Sequence, residues 1–477
     1  MNHLSPPPAT SHAASTKREL SDLIRIALPA VAAQLATMAL GTVDTIMAGQ
    51  LGPDALAAVA TGVNLISPLM LFLLGVFLSL NPIVSQYNGA KNQAAVAASI
   101  QSGLWFALLI SVPVFFLWRQ LGIVLDWLQV EPSVKPTAIE YIKALSWGTP
   151  VFWLFLSLRF CNEGLFATKA VMSCAFLAVP VNAFFNWVFM YGNLGAPKLG
   201  AVGTGYATSV TWLLMFVFML LYTLKAKRHA GLRQHFVWHK PDWPRLYEIV
   251  RLGLPMGSAF ALEVLMFAMM GLMMATYNTT IISAHQIALN YASLTFMVPL
   301  GIANAITARV GFAVGSGSAA AVRRAGWVGI GFAGSIALLS TGSMLLLPNQ
   351  IAGLYTDSAD VITMAVSFLS LAAIFQLSDA LQVTASGALR GLKETRYPML
   401  ISMLAYWVVG FPLGWLLAHY TALGPAGYWA GMIGGLSLAA ILLNWRFWRR
   451  SSHWHPAFSA ATATTGDKIA AATSPGQ

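Results

Sequence analysis

Charge is scarce in this sequence. Only 9% of its 477 residues are Asp, Glu, Lys or Arg, against roughly 25% in an average soluble domain. So few charges cannot cover the surface of a water-soluble chain, and lipid is the solvent that suits it. Cysteine is nearly absent. Cys161 and Cys174 are the only two and flank one short loop, which excludes a disulfide framework and offers no metal-ligand spacing. No glycine-rich phosphate loop or dinucleotide fingerprint occurs, so ATP is not expected as an energy source within the chain, and no cofactor is expected. What is abundant is apolar: 57% of residues are hydrophobic, mean hydropathy is +0.68, and there are 16 Trp, a residue favoured at membrane interfaces.

The net charge of +11 does not point to nucleic acid, because the basic residues form no single patch. They fall in short clusters between apolar runs, the pattern of cytoplasmic loops under the positive-inside rule. Residues 1–20 and 451–477 read as disordered cytoplasmic tails, rich in Ala, Pro, Ser and Thr. The first lacks the basic-then-apolar order of a cleavable signal.

A spanning helix needs about 20 mostly apolar residues. Twelve such segments are expected, at 26–48, 55–80, 94–118, 138–160, 170–191, 201–224, 252–276, 281–306, 325–347, 362–388, 397–418 and 426–447. Glu140, Lys143 and Arg159 crowd the ends of the fourth. With the N-terminus inside, the outer loops and helix edges hold only Arg119, Lys135, Lys143 and Lys198 of the 27 basic residues. Both ends are therefore expected in the cytoplasm. The fold class is an all-α polytopic membrane protein of two six-helix lobes, 21–224 and 252–450. They are joined by a cytoplasmic loop, 225–251, whose Trp238 and Trp243 suit a membrane surface, though a solvated linker explains it equally well.

The halves resemble each other. At an offset of 226, Arg25-Ile-Ala-Leu-Pro29 lies over Arg251-Leu-Gly-Leu-Pro255; Asn64 meets Asn290, Val84 meets Val310 and Gly89 meets Gly315. At 224, Leu165 meets Leu389 and Lys169 meets Lys393. Six spans is an even number, so the repeat is parallel, with its axis along the membrane normal. Transporters built this way bind substrate between the halves and rock them.

Three carboxylates lie well inside the spans: Asp44, Glu263 and Asp379. An ionised carboxylate at bilayer depth costs roughly 2.5–3.5 kcal/mol on insertion scales, and no Lys or Arg occupies the same spans at similar depth. Such groups are expected to bind protons or metal cations. At a rise of about 1.5 Å per residue, Glu263 and Asp379 lie ~16 and ~14 Å from the inner face. They can share one ion. Asp44 lies ~27 Å deep in the other half, near the level of Asn186 at ~24 Å. Asn182 and Asn186 share one helical face; ordinary interhelical bonding explains them equally well. Gln34, Asn64, His285, Gln286 and Asn290 are further polar candidates, with His285 expected at the interface. Gln34, Asn64, Gln286 and Phe375 are candidates to line the cleft.

These residues carry a resemblance. Leu28-Pro29 followed by Val43-Asp-Thr-Ile-Met-Ala-Gly49, Asn182 and Asn186 ahead of Trp187-Val-Phe-Met-Tyr-Gly192, Glu263, Ala284-His-Gln-Ile-Ala288, and Asp379 ahead of Gly387-Ala-Leu-Arg-Gly391 are together similar to the multidrug and toxic compound extrusion (MATE) family, in its NorM-like bacterial branch. The resemblance runs from about 20 to 450. It implies a V-shaped cleft between two lobes and a monomer in the bacterial inner membrane. It implies export of small organic cations, drugs and dyes, in antiport with H+ or Na+. It also implies a proton-linked site at Asp44, Asn182 and Asn186 and a cation site at Glu263 and Asp379. Position 375 is Phe where some relatives carry Tyr. Phe supplies no side-chain oxygen, which favours H+ over Na+. A lipid-linked precursor flippase of related architecture is the alternative, but it needs a strongly charged cavity for anionic headgroups. A polytopic enzyme would need a nucleophile–base pair or a ligand cluster that the sequence lacks. A passive channel suits the repeat poorly.

Overall fold

The computed structural model describes residues 12–226, 229–236 and 238–454, and these are helical almost throughout. In chain order the helices are α1 (His12–Gln50), α2 (Pro53–Phe77), α3 (Leu80–Gly89), α4 (Gln93–Gln120), α5 (Gly122–Trp127), α6 (Lys135–Ser146), α7 (Thr149–Gly164), α8 (Thr168–Tyr191) and α9 (Ala201–Lys225). The second half holds α10 (Ala230–Arg233), α11 (Trp243–Ala275), α12 (Thr279–Gly315), α13 (Ala319–Leu346), α14 (Pro348–Gly353), α15 (Ala359–Gly391), α16 (Arg396–Met403), α17 (Phe411–Tyr420) and α18 (Pro425–Ser452).

Among the described residues, eleven helical segments are long and apolar enough to cross a membrane. The fourth expected span is instead a helix pair, α6 and α7, broken at Trp147-Gly148. Pro150 lacks an amide proton, and its ring collides with a carbonyl one turn earlier. Gly148 fills the break closely, since a Cβ there would stand 2.8 Å from Ser209 Cα. The second span runs past its expected end at 80, through a break at Leu78-Ser79, into α3. The eleventh runs from α16 to α17 through a π-helical stretch, Leu404–Gly410, just ahead of Pro412.

Three expected boundaries need correction. The N-terminal tail is shorter than 1–20, because α1 begins at His12 and carries Glu19 and Asp22 to Arg309. The Arg309 guanidinium donates to both Glu19 oxygens at 2.9 and 2.7 Å and stands 3.7 Å from Asp22. The interlobe loop ends well before 251. α11 starts at Trp243, where the Asp242 carboxylate caps it by accepting from Arg245 N at 3.3 Å, a standard N-cap. Trp238 of that loop packs on Trp105 at 5.1 Å. At the other end α18 runs to Ser452. Residues 1–11 and 455–477 of the expected tails, with Lys227 and Arg228 of the loop, lie outside the described residues.

The two halves meet through glycines in a reciprocal pattern. A Cβ on Gly75 would stand 2.6 Å from Gly257 Cα, and one on Gly301 would stand 2.7 Å from Val31 Cα. At the 226-residue offset, Gly301 is the counterpart of Gly75 and Gly257 of Val31. A Cβ on Gly89 would collide with the Phe312 carbonyl, and one on Gly315 with the Gln86 carbonyl; these too are counterparts. Gly311 packs on its own counterpart, Ser85. Such pairing is what a two-fold axis through an isologous contact requires. Hydrogen bonds join the same region: Ser79 Oγ to the Ile249 carbonyl at 3.3 Å, Asn81 Nδ2 to the Asn304 carbonyl at 3.4 Å, and Gln86 Nε2 to the Gly391 carbonyl at 2.9 Å.

All these contacts lie toward one end of the bundle, the face at which α1 and α11 begin and α9 and α18 end (the terminal face). A core cluster there mixes α1 with α12, α13, α15 and α18. Toward the far face, a separate core is built wholly from the second half, from Met266 to Ala439. The close contacts between the halves are thus gathered at the terminal face.

Candidate functional site

The first half brings Asp44, Asn182 and Asn186 together. Asp44 lies on α1 and the two Asn on α8, one turn apart. Asn186 Nδ2 donates to Asp44 Oδ1 at 2.7 Å and is 3.1 Å from Asn182 Oδ1. A third helix contributes Thr208, whose hydroxyl donates to Asp44 Oδ2 at 3.1 Å. Asn182 Nδ2 stands 3.4 Å from the same hydroxyl. Both carboxylate oxygens are therefore held by neutral donors, with Asn182 and Asn186 themselves fully buried. Tyr141 of α6 lies within electrostatic range of Asp44. Sequence reasoning missed Thr208, because a Thr in an apolar helix ordinarily bonds its own backbone one turn back. Its pattern in the sequence is no different from that of its neighbours.

Gln34 does not join this network. Its Oε1 accepts from Arg159 Nη2 at 2.8 Å, and Arg159 Nε donates to Glu163 Oε1 at 3.0 Å. This buried ion pair was also unforeseen. It pairs the two charges with each other on α7, which offsets part of the cost of burying them in the broken span.

In the second half, Glu263 of α11 and Asp379 of α15 are within electrostatic range of each other. Asp379 is 3% exposed, and its Oδ1 has no hydrogen-bond partner. Tyr406, on the π-helical stretch, is within range of both carboxylates; π-helical insertions often mark functional positions. No Lys or Arg forms an ion pair with Asp44, Glu263 or Asp379 among the described residues. One basic group nevertheless approaches Glu263 from beyond the end of the tenth span. Arg390 shares a cavity with it and interacts with it electrostatically.

Two further expectations change. Phe375 does not line the cleft: it is 3% exposed and packs against Phe267 at 5.9 Å and Trp429 at 6.0 Å, an apolar cluster that holds it in the core. His285 is buried rather than interfacial, with its ring 5.6 Å from Trp429. Asn64, Gln286 and Asn290 are exposed. Gln286 and Asn290 line an open recess with Tyr355, whose hydroxyl donates to Asn290 Oδ1 at 3.0 Å.

This arrangement, two intramembrane carboxylate sites in two pseudo-symmetric halves, meets its family in the sequence comparison. A family model described as MatE matches residues 29–188 and 255–416, once in each half. The chain belongs to the MATE family. It is therefore a multi-pass membrane transporter rather than an enzyme. It is 38% identical over 434 residues to a protein named Multidrug resistance protein NorM from Aliivibrio fischeri, covering 90% of this chain and 94% of that one. It is 38% identical over 442 residues to a protein of the same name from Vibrio vulnificus, covering 92% and 96%. Its MATE fold is shared with the eukaryotic MATE transporter AtDTX14, with a TM-score of 0.84 at 20% identity over 94% of this chain and 98% of that one. An outward-facing multidrug resistance MATE transporter gives 0.84 at 21%, over 93% and 99%.

Proposed function

We propose that this chain exports organic, mostly cationic drugs and dyes from a bacterium in exchange for inward H+. Both termini lie in the cytoplasm, and the two halves, as lobes 21–224 and 252–450, alternate access to the cleft between them. The observation that carries this reading is the Asp44 network. A carboxylate on a wall helix, oriented by Asn186 and Thr208 and paired with no cation of its own, is an acceptor that a lipophilic cation and a proton can each neutralise, but not both together. Binding and protonation are thermodynamically reciprocal, so proton entry from outside displaces the drug there, and antiport needs no ATP. Glu263 and Asp379 form a second cation site in the other lobe. Two carboxylates in range of each other repel, and one bound cation relieves that repulsion. H+ is favoured over Na+ because Phe375 gives this site no oxygen.

The glycine seal at the terminal face supports an outward-open arrangement under this topology. The decisive experiment is ethidium efflux from proteoliposomes under separately imposed pH and Na+ gradients. Export driven by the pH gradient without Na+ is expected; export that requires a Na+ gradient overturns the choice of ion.

A further inference from the structure

We propose that Arg390 is a resident counter-cation of the Glu263–Asp379 site, so that this site takes up a single positive charge in each cycle. The inference deepens the reading that these carboxylates bind the coupling cation, and it rests on that reading.

Arg390 is the next-to-last residue of α15, two residues beyond the apolar span. A basic residue at a span end normally extends its head to the headgroups. Arg390 does the opposite and is 4% exposed. Helix polarity explains why. Side chains on a helix lean toward its N-terminus. α15 runs toward the terminal face, so Arg390 leans back toward the bilayer centre. α11 runs the other way, so Glu263 leans toward the terminal face. The two side chains converge.

They meet across a cavity of about 30 Å³, room for roughly one or two waters. Besides Glu263 and Arg390, its walls carry the polar groups of Gln382, Ser386, Thr395 and Ser402. Arg390 Nε and Nη2 and Gln382 Oε1 are buried without a hydrogen-bond partner. A buried guanidinium in that condition is costly unless something satisfies it. The cavity has room for water to do so and to carry the interaction on to Glu263, without the close ion pair that would neutralise it outright. Arg390 faces Glu263, Glu263 is in turn in range of Asp379, and the Tyr406 phenol is in range of both carboxylates. Two negative charges and one fixed positive charge leave a net charge of −1. One proton neutralises the site. A second meets repulsion from Arg390, which also speeds release of the first. Arg390 is thus a positioning residue, setting how tightly the carboxylates hold their cation.

The test is pH-gradient-driven ethidium efflux by the reconstituted full-length protein, measured across proton concentrations. Arg390→Gln should reach half-maximal efflux at about tenfold lower proton concentration, the scale of losing one opposite charge nearby, with a slower maximal rate. Arg390→Met should do the same. It leaves no unpaired donor, and apolar replacement of a buried charge is commonly tolerated by the fold. Arg390→Lys should keep the wild-type midpoint to within about twofold, as it retains the charge. A neutral variant with an unshifted midpoint and only a lower rate overturns the inference, since loss of packing alone predicts that result. So does an Arg390→Lys midpoint that moves with the neutral variants. Glu263→Gln separates the two levels. If it still couples export to protons, the site reading itself fails. If it abolishes coupling while the neutral Arg390 variants do not shift, only the role of Arg390 fails.

Discussion

The seal between the halves should fail at Gly75. A Cβ at that position would lie 2.6 Å from Gly257 Cα, 2.9 Å from Gly257 N and 3.1 Å from Met256 C. All three are backbone atoms and cannot rotate away. Carbon atoms pack best at about 3.5–4.0 Å, so Gly75→Ala forces α2 and α11 apart by roughly 1 Å. Overpacking of this kind costs about 1–3 kcal/mol. The cost falls on the sealed state, where the helices touch. If the lobes alternate, the parted state escapes it. The ratio of the two states then moves about 5- to 150-fold toward the parted one. Ser79, next to the seal and fully buried, reports the change. A Ser79→Cys protein should react slowly with a water-soluble thiol reagent, and adding Gly75→Ala should speed that reaction at least several-fold. Native Cys161 and Cys174 are buried and give a low background. Gly271→Ala is the control, because a Cβ there meets nothing within 4 Å. If Gly75→Ala behaves like Gly271→Ala in labelling and in efflux, the glycine contact is not part of a moving seal.

Asp44→Asn should weaken ethidium binding by about tenfold or more, since it removes a charge facing the cation; equilibrium binding across a pH series should also lose the tightening with rising pH that wild type shows. Thr208→Val should reduce binding less than Asp44→Asn does, because one neutral hydrogen bond is worth only about 0.5–1.5 kcal/mol; equal losses in the two variants would mean that the hydroxyl, not the charge, dominates. Glu263→Gln and Asp379→Asn should each abolish coupled export while folded protein remains in the membrane, and the double variant should be little worse, as groups acting as one unit are non-additive. Cysteine labelling in intact cells should place 229–236 and 350–360 on opposite sides; finding them on the same side refutes the topology.

The sequence alone determined the solvent, the helical class and the repeat, because each is a one-dimensional pattern. Scarce charge and runs of about 20 apolar residues need no partner to be read. The 226-residue offset pairs Gly89 with Gly315 whether or not they touch. The three intramembrane carboxylates were legible for a related reason: at bilayer depth a charge is costly wherever it points. What only the tertiary structure decided is which groups face each other. Thr208 closes the Asp44 network from a third helix, and nothing in its local sequence separates it from a Thr bonding its own backbone. Phe375 and His285 are drawn into the core by Trp429, which lies far away in the chain. Arg390 reads as an interfacial residue from its position at a span end. Only the opposite polarity of α11 and α15 turns it and Glu263 toward one cavity. Depth along a helix can be counted from residues, but the direction a side chain takes across the bundle depends on which helices become neighbours.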